Sequence, residues 1–202
     1  MEVEPLPMDA DGQVRAVIER MREYALADST SEPVRSAVAD AASRFPDPDI
    51  ACSIFHWIKS RVQFERDETR NRELGIGGDD VLVEVLTRPV DLLTMRGARG
   101  DCDDYSMLAA SMLIAAGRPV QFCTVAANSN EPGKFSHVYV ETVDRHGRRL
   151  PLDTSHGKYP GWEVGRFVSV TRFESWPVQR ACTALILAAA AGFYLLRKFW
   201  RL

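Results

Sequence analysis

The stretch SHVYVETVDRHGRRLPLD, residues 136–153, constrains this 202-residue chain more than any other. Residues 136–143 alternate in side-chain character, DRHG is turn-like, and RRLPLD resumes an extended pattern, which together predict a β-hairpin. With Asp144, Arg145 and His146 as a three-residue loop, Val138 faces Leu152, Val140 faces Leu150 and Glu141 faces Arg149. A shift of one residue would break the apolar pairs. The same register sets His137 opposite Asp153, on the face shared by Glu141 and Arg149. A carboxylate across from a histidine can hold its tautomer and stabilise the imidazolium. It can also be no more than a cross-strand polar pair.

Other strands are predicted around this hairpin, at Val120 to Ala126 before it and Phe167 to Phe173 after it. The chain ahead of them is helical. Val14, Val17, Ile18, Met21 and Ala25 recur at helical spacing behind Asp9 and Asp11, and Val34, Val38, Ala41 and Phe45 follow Ser31 and Pro33. A third helix starts near Asp47 and Pro48 and carries Ile50, Ile54, Trp57, Ile58 and Arg61. Helices followed by a run of strands argue for an α+β fold with an antiparallel sheet. Residues 65–80, ERDETRNRELGIGGDD, are charged and then glycine-rich, so a surface loop or flap is expected there.

The remaining helix opens on RGDCDDYSMLAASMLIAAG, residues 99–117. Gly100 allows a tight turn, Tyr105, Leu108, Met112, Leu113 and Ala116 mark the buried stripe, and Gly117 and Pro119 stop it. Cys102 therefore falls in the first turn, where unpaired N–H groups and the helix dipole favour the thiolate. Asp101, Asp103 and Asp104 oppose that effect if their charges face the sulfur, so a reactive Cys102 needs a histidine partner. His137 is the best placed of four histidines. His56 and His146 are expected in solvent, while His156, three residues beyond Asp153, could approach the same site. The plain alternative for Cys102 is a small buried hydrophobe, and Cys52, Cys123 and Cys182 are all expected to pack.

Composition limits the rest. Forty-six per cent hydrophobic and 26% charged residues describe a globular chain, and 25 basic against 28 acidic groups give no reason to expect a nucleic-acid partner. Four scattered cysteines make neither a disulfide framework nor paired metal-ligand motifs. A zinc site from Cys102, His137, His156 and an aspartate lacks a close-spaced ligand pair, so no metal is expected. The start, MEVEPLPMDADGQV, has neither the basic nor the apolar part of an export signal. Residues 181–196 carry no charge, and Arg197, Lys198, Phe199, Trp200 and Arg201 follow. Residues 181–200 thus suggest a membrane anchor or a helix buried in an oligomer or a larger assembly.

The blocks GDCDDYSMLAASMLIAAGRPVQF, FSHVYVE and LPLDTSHGKYPGW, in that order, resemble the transglutaminase-like superfamily, particularly its bacterial and tailed-phage branch; IFHWIKSRVQFERD is similar to the helix that precedes its core. The resemblance spans residues 50–162 and implies a papain-like α+β core; together with the helical and apolar patterns it divides the chain into a helical segment, 1–46, a core domain, 47–176, and a hydrophobic helix, 177–202. It implies that Cys102 is the nucleophile, His137 the base and Asp153 the residue that orients the base, with no cofactor. Gln63 and Trp57 are candidates for the second oxyanion donor, and Trp162, in PGW, for lining the cleft. The activity implied is acyl transfer, with hydrolysis of a peptide, isopeptide or peptidoglycan-like amide favoured over crosslinking. The alternative is a structural module of a phage particle or membrane-associated complex whose triad is idle. Synthesis in the cytoplasm, followed by membrane tethering or virion association, fits either.

Overall fold

A computed structural model describes residues 10–67, 69, 85–126, 130, 135–163 and 170–172. Asp9 as a helix cap, most of the charged and glycine-rich loop, Cys182 and the apolar C-terminal segment lie outside these residues. Helices α1 (Ala10–Asp28), α2 (Glu32–Arg44) and α3 (Ile50–Arg61) come first. Strand β1 (Gln63–Phe64) pairs in parallel with β2 (Arg99–Gly100), and the short helix α4 (Pro89–Thr94) precedes β2 in the chain. Next come α5 (Cys102–Ala115), β3 (Gln121–Val125), β4 (His137–Val143), β5 (Arg149–Leu152) and β6 (Val170–Arg172). The last four strands form one antiparallel sheet in the order β5-β4-β3-β6, so the fold is α+β.

The helices start and stop where local chemistry requires. Ser31 caps α2 by accepting the Val34 N–H, with Pro33 in the first turn. Helix α3 is capped by Asp49 rather than by the Asp47–Pro48 pair: its carboxylate accepts the Ala51 N–H at 3.1 Å, while Asp47 accepts the Asp49 N–H at 2.8 Å. Asp101 caps α5 through the Asp103 N–H at 3.1 Å. At its far end Gly117 takes φ +74°, its N–H reaches Ile114 O, and the Arg118 N–H reaches Leu113 O.

Helix α5 is the centre of the molecule. Every residue from Asp103 to Leu113 is buried, so it is wrapped on all sides rather than laid along one stripe. Ile18, Met21 and Ala25 of α1, Val34 of α2, Ile54 and Ile58 of α3, Leu92 of α4 and Phe122, Val140 and Leu152 of the sheet share its core. Each large apolar side chain buried there contributes about 1.5–3 kcal/mol. Behind the sheet, Cys123 packs with Val125 and Tyr139, as expected for a structural cysteine. Cys52 is half-buried, and burial first, then the nearby Asp47 and Asp49 charges, push its thiol up to about 11.

The hairpin register differs from the expected one by two residues. Val140 pairs with Leu152, Glu141 with Pro151, Thr142 with Leu150 and Val143 with Arg149. The loop still has three residues, but they are Arg145, His146 and Gly147, closed by Asp144 N–H to Arg148 O at 2.8 Å. Gly147 decides the position, because its φ of +77° supplies the left-handed residue that a three-residue loop places last. A slip of two leaves every side chain on its expected face, whereas a slip of one would invert them.

Gly100 has a different reason from the tight turn expected of it. A Cβ there would stand 2.5 Å from Oδ2 of Asp104, whose fully buried carboxylate accepts the Thr87 N–H at 2.7 Å and the Thr87 hydroxyl at 3.2 Å. Gly100→Ala should therefore cost about 1–3 kcal/mol, read as a lower urea midpoint at unchanged slope.

A second expectation concerns the hairpin loop. The Arg148 N–H, ahead of the Arg148 guanidinium and the His146 N–H, lowers the Asp144 carboxyl to about 2. A lowered carboxyl stabilises the fold above its unfolded value of about 4 and ceases to as pH falls through about 2. The stability difference between wild type and Asp144→Asn, measured by urea unfolding, should therefore be present near neutrality and shrink toward pH 2.

Candidate functional site

His137 is the first residue of β4 and is 8% exposed. Its Nε2 lies 2.8 Å from Oδ2 of Asp153, which is 1% exposed. In the observed register the two residues are diagonal rather than opposite neighbours, and diagonal pairs on one face remain within reach of long side chains. Asp153 opens the turn that follows β5. There its Oδ1 accepts the His156 N–H at 2.9 Å and the Ser155 hydroxyl at 3.0 Å, and its carbonyl accepts the Gly157 N–H at 2.9 Å. Thr154 reaches Tyr105 O at 3.4 Å and Lys59 reaches Ser155 O at 3.4 Å, so α5 and α3 both hold this turn.

Burial alone would raise the Asp153 carboxyl. The hydrogen bond and charge of His137, with the His156 N–H and the Ser155 hydroxyl, outweigh it and hold the carboxyl below its ordinary value. An ionised Asp153 accepts the proton on Nε2 of His137, so Nδ1, on the other edge of the ring, is the nitrogen left with a lone pair.

Cys102 is the first residue of α5, as the sequence predicts, and is half-buried. Its thiol is directed at Oδ1 of Asp103, 3.5 Å away. The Val138 N–H, adjoining His137 on β4, is directed at its sulfur. Ser106, one turn along α5, donates to Val138 O at 3.1 Å, so both backbone groups of Val138 are addressed by this helix.

The electrostatic balance at the sulfur runs against the expected ionised thiol. Burial is the largest cause, the Asp103 and Asp101 charges and the Asp103 hydrogen bond add to it, and the Val138 N–H opposes them; the net effect places the thiol well above its ordinary value. The carboxylates on either side of Cys102 thus act in the same direction as burial and against the helix dipole.

Among the described residues, the other candidates divide. His156 does approach: it is exposed, and its ring meets that of His137 edge-on at 4.8 Å between centroids. Burial of the ring and the charge of His137, in that order, lower its basicity. Gln63 is exposed on β1, paired with Arg99 on the strand that leads into Cys102. Trp57 points elsewhere: its indole N–H donates to Oδ2 of Asp40 at 2.8 Å, and it lines a groove with Glu32, Pro33 and Arg61. Its amphipathic ring found a carboxylate on α2, which removes it as an oxyanion donor. Trp162 is half-buried after a turn closed by its own N–H on Tyr159 O, and it makes no ring contact with His137 or His156 among the described residues. His56 and His146 are exposed, as expected.

Three features were not read from the sequence. Phe64, 43% exposed, lies 4.9 Å from the His156 ring and 6.3 Å from that of Tyr105, giving the site an apolar wall. Tyr139 stacks against His137 at 6.3 Å. Ser155 links Asp153 to His156, and the DTSHG turn signal could have found it, because an aspartate that accepts N–H groups from the following residues is a common turn former.

Asp103→Asn removes one of the charges that keep the Cys102 thiol neutral. A raised thiol becomes the reactive thiolate only as pH climbs through its raised value. The variant should therefore reach a given iodoacetamide alkylation rate at lower pH than wild type between about pH 6 and 10, read at Cys102 by mass spectrometry; coincident profiles would remove Asp103 from this account. No protein-family model matches the sequence, and the search of curated proteins finds no match. Among solved structures the chain is similar to one described as "a Putative Cysteine Protease from Cytophaga hutchinsonii", with 16% identity and a TM-score of 0.41. The match covers 71% of this chain, which spans 50% of that one.

Proposed function

We propose that the chain is a cysteine-dependent acyl-transfer enzyme of transglutaminase-like type, hydrolysing an amide bond in a peptide, isopeptide or peptidoglycan-like substrate. The observation that carries this reading is the buried 2.8 Å pair between His137 Nε2 and Asp153 Oδ2, set at the start of the strand whose Val138 N–H addresses Cys102. Cys102 Sγ attacks the carbonyl carbon while its proton passes to Nδ1 of His137. The C–N bond breaks as that proton is delivered to the leaving amine, and water then cleaves the thioester, returning a proton to the sulfur. Asp153 is the positioning residue, orienting the ring and stabilising the imidazolium. Because the resting thiol is neutral, His137 acts as a general base at the moment of attack rather than as half of a preformed ion pair.

Cys102 stands at N1 of α5, where a backbone N–H is free of the helix ladder, and is the first oxyanion donor in this reading. Gln63, on the strand beside the Cys102 turn, is the second. Phe64 and the exposed edge of His156 supply a wall for an apolar side chain of the substrate.

A second reading, an idle site in a structural module of a phage particle or membrane-associated complex, is favoured by one observation: the Cys102 thiol is held neutral by burial and two carboxylates. Incubating the full-length protein with casein and with peptidoglycan separates the two. If the first reading holds, Cys102→Ala releases new amines more than about 10³-fold more slowly, and Asp153→Asn loses about 10²–10⁴-fold in kcat with little change in KM. Equal product from wild type and Cys102→Ala would give the second reading the site.

A further inference from the structure

The turn after β5 gathers more ligand chemistry than a nucleophile, base and orienter need. His137, Asp153 and His156 each offer a ligand atom, and the three atoms lie within 4.8 Å of one another. We propose that these three side chains form a binding site for a divalent ion of the zinc class. It takes no ligand from Cys102 and exists whether or not the chain is an enzyme.

The hydrogen bonds fix which atoms keep a lone pair for an ion. Ser155 has one hydroxyl proton, and it gives that proton to Oδ1 of Asp153 at 3.0 Å. The contact of 3.0 Å between Ser155 Oγ and Nδ1 of His156 is then a bond donated by the ring, so Nδ1 carries the hydrogen and Nε2 the lone pair. Outer partners of this kind set the tautomer of metal-binding imidazoles and raise their basicity. Asp153 is arranged likewise. Its Oδ1 is occupied by Ser155 and the His156 N–H, which leaves Oδ2 for the site, where it meets Nε2 of His137.

The donor types favour zinc over harder ions. Two imidazoles and a carboxylate suit zinc, copper or nickel better than magnesium or calcium, whose sites are built from oxygens. Ligand atoms about 2.0–2.2 Å from a tetrahedral ion stand roughly 3.3 Å apart. His156, the exposed member, closes the remaining gap by rotating its ring, and the ion replaces the proton shared by His137 and Asp153. Three protein ligands leave a fourth position for water or another group. The turn is tight, since a Cβ on Gly157 would meet Asp153 O at 2.3 Å.

The test is zinc titration of the full-length protein by calorimetry, with cobalt as a spectroscopic substitute, in the absence of any substrate. Wild type and Cys102→Ala should each bind one ion per chain with equal affinity. Loss of an outer partner alone costs about 10–100-fold in affinity, so Ser155→Ala should weaken binding by that amount and His156→Ala by more than about 100-fold. Absence of binding, loss of it in Cys102→Ala, or unchanged affinity in His156→Ala would each overturn the site. If circular dichroism shows His156→Ala misfolded, nitrogen NMR of wild type decides instead: zinc must shift the ring nitrogens of His137 and His156 together, and a shift of neither or of only one rejects the site. Failure to cleave a substrate leaves all these readouts untouched.

Discussion

The burial of α5 on every face sets the terms for the rest of the molecule. A helix with a single apolar stripe needs one partner, but one sealed from Asp103 to Leu113 needs α1, α2, α3, α4 and the sheet around it. Its open N-terminal N–H groups are then buried with it and must find acceptors. Asp101 answers by capping, and the buried Asp104 ties the chain at Thr87 to the same end. Cys102 thus occupies a place where backbone donors are plentiful and water is scarce.

That setting has two opposed effects on a thiol. Backbone dipoles favour a negative sulfur, while dehydration and neighbouring carboxylates forbid it at rest. An acidic helix start helps to complete the fold and works against a preformed thiolate. The same trade appears at Asp153, which tolerates burial because His137, Ser155 and the His156 N–H all donate toward it. Polar groups here are secured by one another rather than by solvent.

Much of this was legible from periodicity and turn chemistry. The α+β class, the three N-terminal helices, the start and stop of α5 and the antiparallel hairpin follow from apolar spacing, caps and glycines. The face shared by His137 and Asp153 was legible because alternation fixes parity, but the register was not, since two apolar pairings an even number apart satisfy the same pattern. Only the backbone preference of Gly147 separates them. Helix α4 escaped because six residues carry too little period to register, and the β1–β2 pairing because it joins segments distant in sequence. Trp57 was misplaced for a related reason: spacing tells which side of a helix a residue is on, not that Asp40 waits on another helix to receive it. The grouping of His156 with His137 depends on the turn geometry after β5, which no ligand spacing reveals.

Asp49 is more than the cap of α3. Its carboxylate also receives the guanidinium of Arg118, just past α5, and the N–H of Arg145 in the hairpin loop, which is 96 residues further along the chain. A contact over that separation cannot form while the chain is still short, and distant contacts slow folding in general. During synthesis from the N-terminus, Asp49 therefore holds only its local Ala51 cap until Arg118 and then the hairpin loop arrive. Cys102 likewise precedes His137 and Asp153 in the chain, so the buried pair is made after the helix that carries the thiol.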